Sequence, residues 1–274
     1  MTSERQHPAL DDLLDEIGEV GAHLSTISAC EGASSNISLH VGWPLDPRRR
    51  FPVERSIALP QAVPDLAGHS FVVTGSGCRL RRIREDPPAS LAVLTVDEGG
   101  TTARLFLAAN SGFSRPTVEF NTHLAVHEQH ARTTGRDFNA IVHGHPLHLT
   151  YLSHLRDFGS ADGISRRLMR WQAETIVFLP DGVGHVPFFP PSTDALRAAT
   201  VDALTDHRVA VWAQHGAIAR SDDSVSLATD YIDYLETAAR YEVLNLALGE
   251  PTAGLTAEQV DAIARTFGLT VRLA

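Results

Sequence analysis

Cysteine is nearly missing from this sequence. Cys30 and Cys78 are the two in 274 residues, too few for a disulfide framework and in keeping with a reducing cytoplasm. No run of about 18 apolar residues occurs, so no segment reads as a membrane span. Met1 to Pro8 lack the apolar stretch of a signal peptide and are expected to be loose. Basic residues are outnumbered 23 to 33, for a formal charge of −10. This argues against a sequence-tolerant nucleic-acid binder, which needs a basic footprint. Small anions stay open, because local backbone donors can bind them against a negative average. The chain has no P-loop of the G-x-x-x-x-G-K-[ST] form and no G-x-G-x-x-G fingerprint. It also has no repeat period and no low-complexity tract.

Apolar residues make up 43% and charged residues 20% of the chain, enough to bury a sizeable core. Leu10, Leu13, Leu14, Ile17, Val20 and Leu24 step by three or four, which predicts an amphipathic helix. Strands are expected at Asn36–Val41, Phe71–Thr74, Asn139–His143, Thr175–Leu179 and Val209–Gln214. A strand pair, Leu91–Val96 and Ala103–Ala108, flanks the turn Asp97-Glu98-Gly99-Gly100. Helices are expected over 117–134, after Pro146, over 193–206 and over 224–248. A last helix starts at Thr256, with Gln259 completing a capping box. Residues 43–70, rich in Pro and Arg, read as a long excursion suited to a small accessory unit. Strands and helices mixed along one chain imply a layered α/β or α+β domain.

Histidine is the abundant oddity, at 14 copies. His143-Gly144-His145-Pro146 directly follows the apolar run Ala140-Ile141-Val142. Residues i and i+2 of a strand share a side, so both imidazoles face one way where the chain leaves the core. Trp212-Ala213-Gln214-His215-Gly216 also ends an apolar strand. Three neutral imidazoles form a facial set for Zn²⁺ or a similar divalent ion, with positions left open. The glycine after His143 and after His215 removes bulk beside such an ion. A lone H-x-H is also the pattern of a satisfied structural pair, and chemistry alone does not separate the two.

Pro116-Thr117-Val118-Glu119 opens the expected helix. A glutamate there compensates the helix dipole; beside a metal, the same carboxylate could act as a general base at a carbon next to a carbonyl. Gly32-Ala33-Ser34-Ser35-Asn36 precedes a strand, and Thr74-Gly75-Ser76-Gly77 follows one. Their small residues let backbone N–H groups approach an anion, although each is also ordinary turn chemistry. The basic run Arg79-Leu80-Arg81-Arg82-Ile83-Arg84 reads as a solvated face.

In this order, the segments ending at Asn36, Gly77, Glu119, His145 and Gly216 resemble the class II aldolase/adducin family. Trp171-Gln172-Ala173-Glu174, the stretch Val177–Gly184 and the tail from Leu255 are similar to its rhamnulose-phosphate branch. The resemblance covers nearly the whole chain and implies one class II aldolase-like domain over 1–274. In it, residues 1–70 would include a small mobile N-terminal unit. The implied fold is α/β: three α/β/α layers around a mainly antiparallel sheet. The implied assembly is a homotetramer with sites at subunit contacts. His143, His145 and His215 would hold one zinc ion per chain, with Glu174 completing the resting sphere. Glu119 would be the catalytic base, with Glu174 the proton donor on the aldehyde side. Asn36, Ser76, Gly77 and Thr117 would grip a substrate phosphate. The implied activity is retro-aldol cleavage of a ketose 1-phosphate. Other reactions of the family are fuculose- or deoxyribulose-phosphate aldol cleavage, pentulose-phosphate 4-epimerisation and sugar-phosphate dehydration; a histidine-poor adducin-like scaffold is a further relative. Two departures concern the phosphate. Val118 replaces the second of two hydroxyl residues, and Ser35 stands where a glycine usually precedes the asparagine.

Overall fold

A computed structural model describes residues 7–272. Its elements begin with α1 (Leu10–Thr26), β1 (Asn36–Val41), β2 (Val53–Ala58), β3 (Ser70–Thr74), α2 (Pro87–Ser90), β4 (Leu91–Val96) and β5 (Thr102–Leu107). There follow α3 (Phe120–Thr134), β6 (Phe138–Gly144), α4 (Leu147–Leu152), α5 (Ala161–Leu168), α6 (Ala173–Phe178) and β7 (Gly184–Val186). The rest are α7 (Asp194–Asp206), β8 (Val209–Trp212), β9 (Gly216–Ser221), α8 (Val225–Ala247) and α9 (Ala257–Phe267).

The strands form one nine-stranded sheet in the order β2-β5-β4-β3-β1-β6-β9-β8-β7. The expected mainly antiparallel sheet is a mixed one. β7 runs parallel to β8, because α7 carries the chain back across a face between them, while the other neighbours pair antiparallel. Helices cover both faces, so the central strands are apolar on both sides. Ile37, Leu39, Ala140, Val142, Val209 and Val211 join the core beneath α1 and α8. Alternate residues turn the other way: Phe71 and Val73 meet Phe120 and Leu124 of α3, and Ile141, Ala210, Trp212 and Ile218 meet α7.

Two expectations are corrected. Thr175–Leu179 lies in helix α6 and not in a strand. The excursion over 43–70 contributes β2, an edge strand of the same sheet paired with β5. Of the stretch expected to be loose, residues 1–6 lie outside the described residues. His7 stacks on Trp43 at 4.4 Å, and Trp43 Nε1 donates to the Pro8 carbonyl. The basic run forms a 3₁₀ turn whose Leu80 and Ile83 are buried against α1. There Gly21 is required, since a Cβ would stand 2.5 Å from the Leu80 carbonyl oxygen. Among the described residues no helix is long and apolar enough to cross a membrane.

Between α3 and the strands lies a polar ladder. Ser38 Oγ bonds both His123 Nδ1 and His127 Nε2, each at 2.7 Å. Asn139 Nδ2 donates to His127 Nδ1 at 3.1 Å, and His40 Nε2 bonds His69 Nδ1 at 2.8 Å. His40, His123 and His127 are fully buried. Burial disfavours the imidazolium and brings His40 and His123 down to about 3, and it holds His127 well below its usual value. These rings are neutral partners that fasten α3 to β1 and β6.

The unfolded chain protonates such histidines near pH 6.5, while the folded protein does not. Stability is therefore fully present above pH 6.5 and is lost as pH falls toward the depressed folded values. Each neutral ring contributes about 1.4 kcal/mol per pH unit of loss, so the three together give on the order of 4. The thermal midpoint should fall steeply between pH 6.5 and 5, before most carboxylates titrate. A flat midpoint across that range would show that these rings are not held neutral.

Candidate functional site

At one end of the sheet, β6 and the β8–β9 hairpin bring three imidazoles together. His143 is the last residue but one of β6, on the same face as Ile141, and is fully buried. His145 follows two residues later, its N–H donating to the Ala29 carbonyl at 2.6 Å. Glu236 of α8 accepts from the backbone N–H of His148 and Leu149 and from His148 Nδ1. It thereby satisfies orphan donors of the α4 N-terminus and fixes the chain just after His145. His215 sits in the tight turn between β8 and β9, where Trp212 pairs with Gly216. Gln214 adopts a left-handed φ of 62° there, and its N–H is held by Ser153 Oγ at 2.8 Å.

One ring nitrogen of each histidine lies within 4.8 Å of the other two. His143 Nε2 and His145 Nε2 are 3.1 Å apart. His143 Nδ1 faces the Ala217 carbonyl at 2.9 Å, and His145 Nδ1 faces Glu31 Oε1 at 2.6 Å. Those oxygens only accept, so both Nδ1 atoms carry the proton. The two Nε2 atoms are the ones left facing each other across 3.1 Å. A divalent cation fits this arrangement, because imidazole nitrogens suit zinc-type ions. Burial and the neighbouring rings hold His143 well below its usual pKa and His215 at about 4, so both rings are neutral at neutral pH, each with one nitrogen unprotonated for ligation.

Glu119 caps α3 and is buried. Its Oε2 lies 3.4 Å from His143 Nε2, and its Oε1 lies 3.6 Å from His215 Nε2. Burial raises its pKa, and a 2.8 Å bond from Asn36 Nδ2 opposes that rise. Asn36 is paired across the sheet with His143, so β1 and β6 together set the Glu119 carboxylate over the histidines. Among the residues expected to grip an anion, Asn36 is thus a partner of Glu119. Thr117 N–H donates to the Thr74 carbonyl and Ser76 N–H to the Arg115 carbonyl. Their hydroxyls remain for a ligand. Gly77 stands exposed at φ 79°, and Val118 is 55% exposed.

Glu174, in the first turn of α6, is exposed and lies outside the histidine set. Residues that sequence reasoning missed are Glu31, the Ala217 carbonyl, Glu236 and Ser153. All four act through other residues across long stretches of chain, and no local pattern marks them. The expected role of glycine is present at Gly216, where a Cβ would stand 2.4 Å from the Gly144 carbonyl oxygen and 2.8 Å from His145 Cδ2.

Residues 15–243 match the family model described as Class II Aldolase and Adducin N-terminal domain. The chain is 34% identical to the rhamnulose-1-phosphate aldolase of Pectobacterium atrosepticum over 80% of its length and 79% of that protein. It is 30% identical to the rhamnulose-1-phosphate aldolase of Yersinia pestis over 88% of both. The crystal structure of a sugar-phosphate aldolase from Thermotoga maritima superposes with a TM-score of 0.75 at 26% identity, covering 89% of this chain and 99% of that one.

Gly216→Ala should break the site, because the new methyl must displace a backbone oxygen and the His145 ring. Overpacking of this kind costs about 1–3 kcal/mol. Wild-type protein should carry about one divalent ion per chain, and the variant markedly less. Elemental analysis, with unfolding curves of both proteins, checks this. An alanine variant that binds metal normally would show that the rings tolerate a looser approach.

Proposed function

We propose, from the premise that the chain belongs to the class II aldolase and adducin family and is an aldehyde-lyase, that it cleaves a ketose 1-phosphate by a zinc-dependent retro-aldol reaction. The proposed substrate is L-rhamnulose 1-phosphate, giving dihydroxyacetone phosphate and L-lactaldehyde; the 34% identity to a rhamnulose-1-phosphate aldolase supports this choice. The observation that carries the reading is the set of converging imidazoles with the Glu119 carboxylate 3.4–3.6 Å from two of them.

His143, His145 and His215 would hold the ion. Bound there, zinc supplies Lewis-acid polarisation of the substrate carbonyl and charge stabilisation. Breaking the C3–C4 bond leaves negative charge on the three-carbon fragment. Glu119, its pKa raised by burial, delivers a proton to C3 and takes it back in the condensation direction. Asn36 holds that carboxylate in place by its 2.8 Å bond. The Thr117 and Ser76 hydroxyls, with Gly77, take the phosphate. Glu174 remains the proposed fourth metal ligand at rest; in cleavage it would take the proton of the C4 hydroxyl, and in condensation it would be the proton donor to the aldehyde oxygen. Because it is exposed and apart from the histidines in one chain, this role requires a second copy to present it. Val118, Leu147 and Tyr151, each more than half exposed beside the site segments, support subunit contacts there in a tetramer. The cysteine usage supports a cytoplasmic setting.

Two variants test the reading. Glu119→Gln keeps shape and removes the base, so folding and metal content should persist while turnover drops by roughly 10²–10⁴-fold. Turnover near that of wild type would leave Glu119 a helix-cap charge. Val118→Ser adds a donor beside the proposed phosphate site. A bond to a charged group contributes about 1.5–3 kcal/mol, and the lower end of that range is roughly tenfold in affinity. KM for L-rhamnulose 1-phosphate should fall in the variant, and KM for the unphosphorylated sugar should not. A wild-type preference for the unphosphorylated sugar would remove phosphate from the reading. Faster turnover of another ketose phosphate, or its epimerisation or dehydration, would reassign the reaction.

A further inference from the structure

The three gathered histidines each have a second ring nitrogen, and the three Nδ1 atoms are held differently. His143 Nδ1 is satisfied inside the sheet by the Ala217 carbonyl. His215 Nδ1 is buried without a partner. His145 Nδ1 alone meets a charged acceptor, Glu31 Oε1 at 2.6 Å. His145, like His215 in its hairpin turn, lies outside regular structure, just beyond β6. In that position nothing in the strand dictates which of its nitrogens carries the proton.

Glu31 belongs to the loop between α1 and β1. Its own carbonyl accepts from Ser34 Oγ at 2.6 Å and from Ser34 N at 3.3 Å, so the loop is folded back on itself there. Two residues earlier, the Ala29 carbonyl accepts from His145 N–H at 2.6 Å and from Ser35 Oγ at 3.2 Å. The loop therefore grips His145 twice, by its main chain and by its ring. A Cβ on Gly144 would stand 2.9 Å from the Ala29 oxygen, so the close approach also depends on glycine.

An ion pair in water contributes little to stability, and the Glu31 side chain is 68% exposed. Its use must be sought elsewhere. A carboxylate facing an imidazole N–H selects one tautomer and strengthens the opposite nitrogen as a donor, the arrangement found behind many metal-binding histidines. We infer that Glu31 is a positioning residue for His145: its carboxylate keeps the ring in the Nδ1–H form and turns the Nε2 lone pair to the point shared with His143 and His215. This rests on the proposed metal-binding reading of the three histidines.

The test is zinc affinity, measured by competition with a chromogenic chelator, for wild type, Glu31→Ala and Glu31→Gln. It is paired with ¹⁵N spectra of histidine-labelled, metal-free protein. Loss of an outer partner of this kind weakens metal binding by roughly 10–100-fold, and Glu31→Ala should fall in that range. Glu31→Gln should lie between alanine and wild type, because its amide oxygen still accepts from Nδ1–H without the charge. The spectra should show His145 as Nδ1–H in wild type and a mixture of tautomers in Glu31→Ala. Thermal midpoints of the metal-free proteins should agree, since an exposed side chain is removed. Variants that bind zinc as tightly as wild type, or an unchanged His145 tautomer in Glu31→Ala, would overturn the inference alone. Wild-type protein that binds no zinc would overturn the metal reading together with it.

Discussion

Three imidazoles must converge on one point, and this fold keeps the Nε2 atoms of two of them, His143 and His145, 3.1 Å apart. Much of the surrounding structure exists to hold that arrangement. The strand β6 fixes His143 by pairing on both sides, with β1 and with β9. The β8–β9 hairpin tightens through a left-handed Gln214 to bring His215 in, at a conformational cost of about 1–2 kcal/mol that Ser153 helps to offset. Gly216 supplies the empty space without which the rings and the Gly144 carbonyl would collide. Burial then keeps His143 and His215 neutral, since an imidazolium is disfavoured there. What remains is a set of three histidines that could hold a metal ion.

The histidines of the site were legible in the sequence because strands advertise themselves by short apolar runs, and ligands at strand ends follow at fixed spacing. β1 was read over its whole length, and the Thr256–Gln259 capping box is present as expected. Thr175–Leu179 misled because it is short, apolar and β-branched at its start. Five residues cannot distinguish a buried helical turn from a strand by period. Here Gln172, in extended conformation, starts a helix instead, with Thr175 Oγ1 bonded to the Gln172 carbonyl. β2 was hidden for the opposite reason. As an edge strand, it has Glu54, Arg55 and Ser56 exposed in succession, so it lacks the alternation that signals a half-buried strand.

The abundance of histidine also resolved into two uses. Three gather at the site, and His40, His123 and His127 line the face where α3 meets β1. Glu119, His123 and His127 are spaced four apart on α3 and lie along one side of that helix. Asn36, Ser38 and His40 alternate on β1. The first contact of the ladder is Asn36 with Glu119, and the next is Ser38 with His123 and His127. The same packing that makes α3 a structural helix therefore aims its cap residue at His143 and His215. The individual contacts were beyond reach from the sequence, because each joins residues 83 to 89 positions apart.

One short stretch, from Ala29 to Ser38, consequently touches His145, Glu119 and the helix α3. Ala29 and Glu31 hold His145, Asn36 holds Glu119, and Ser38 holds the helix from which Glu119 projects. Its first half is irregular loop and its second half is central strand. A displacement of the loop would move His145 without moving Glu119, whereas a displacement of the strand would move both. The division suits the roles proposed for them. A base must keep a fixed distance to the reacting carbon, which a buried strand paired on both sides can guarantee. A metal ligand needs chiefly a fixed tautomer and direction, which a loop can set through one carboxylate and one carbonyl. The turn Gly32–Asn36, whose small residues suit an approaching anion, is also the joint between these two kinds of control, with Ser34 and Ser35 bonding back to Glu31 and Ala29 to keep it closed.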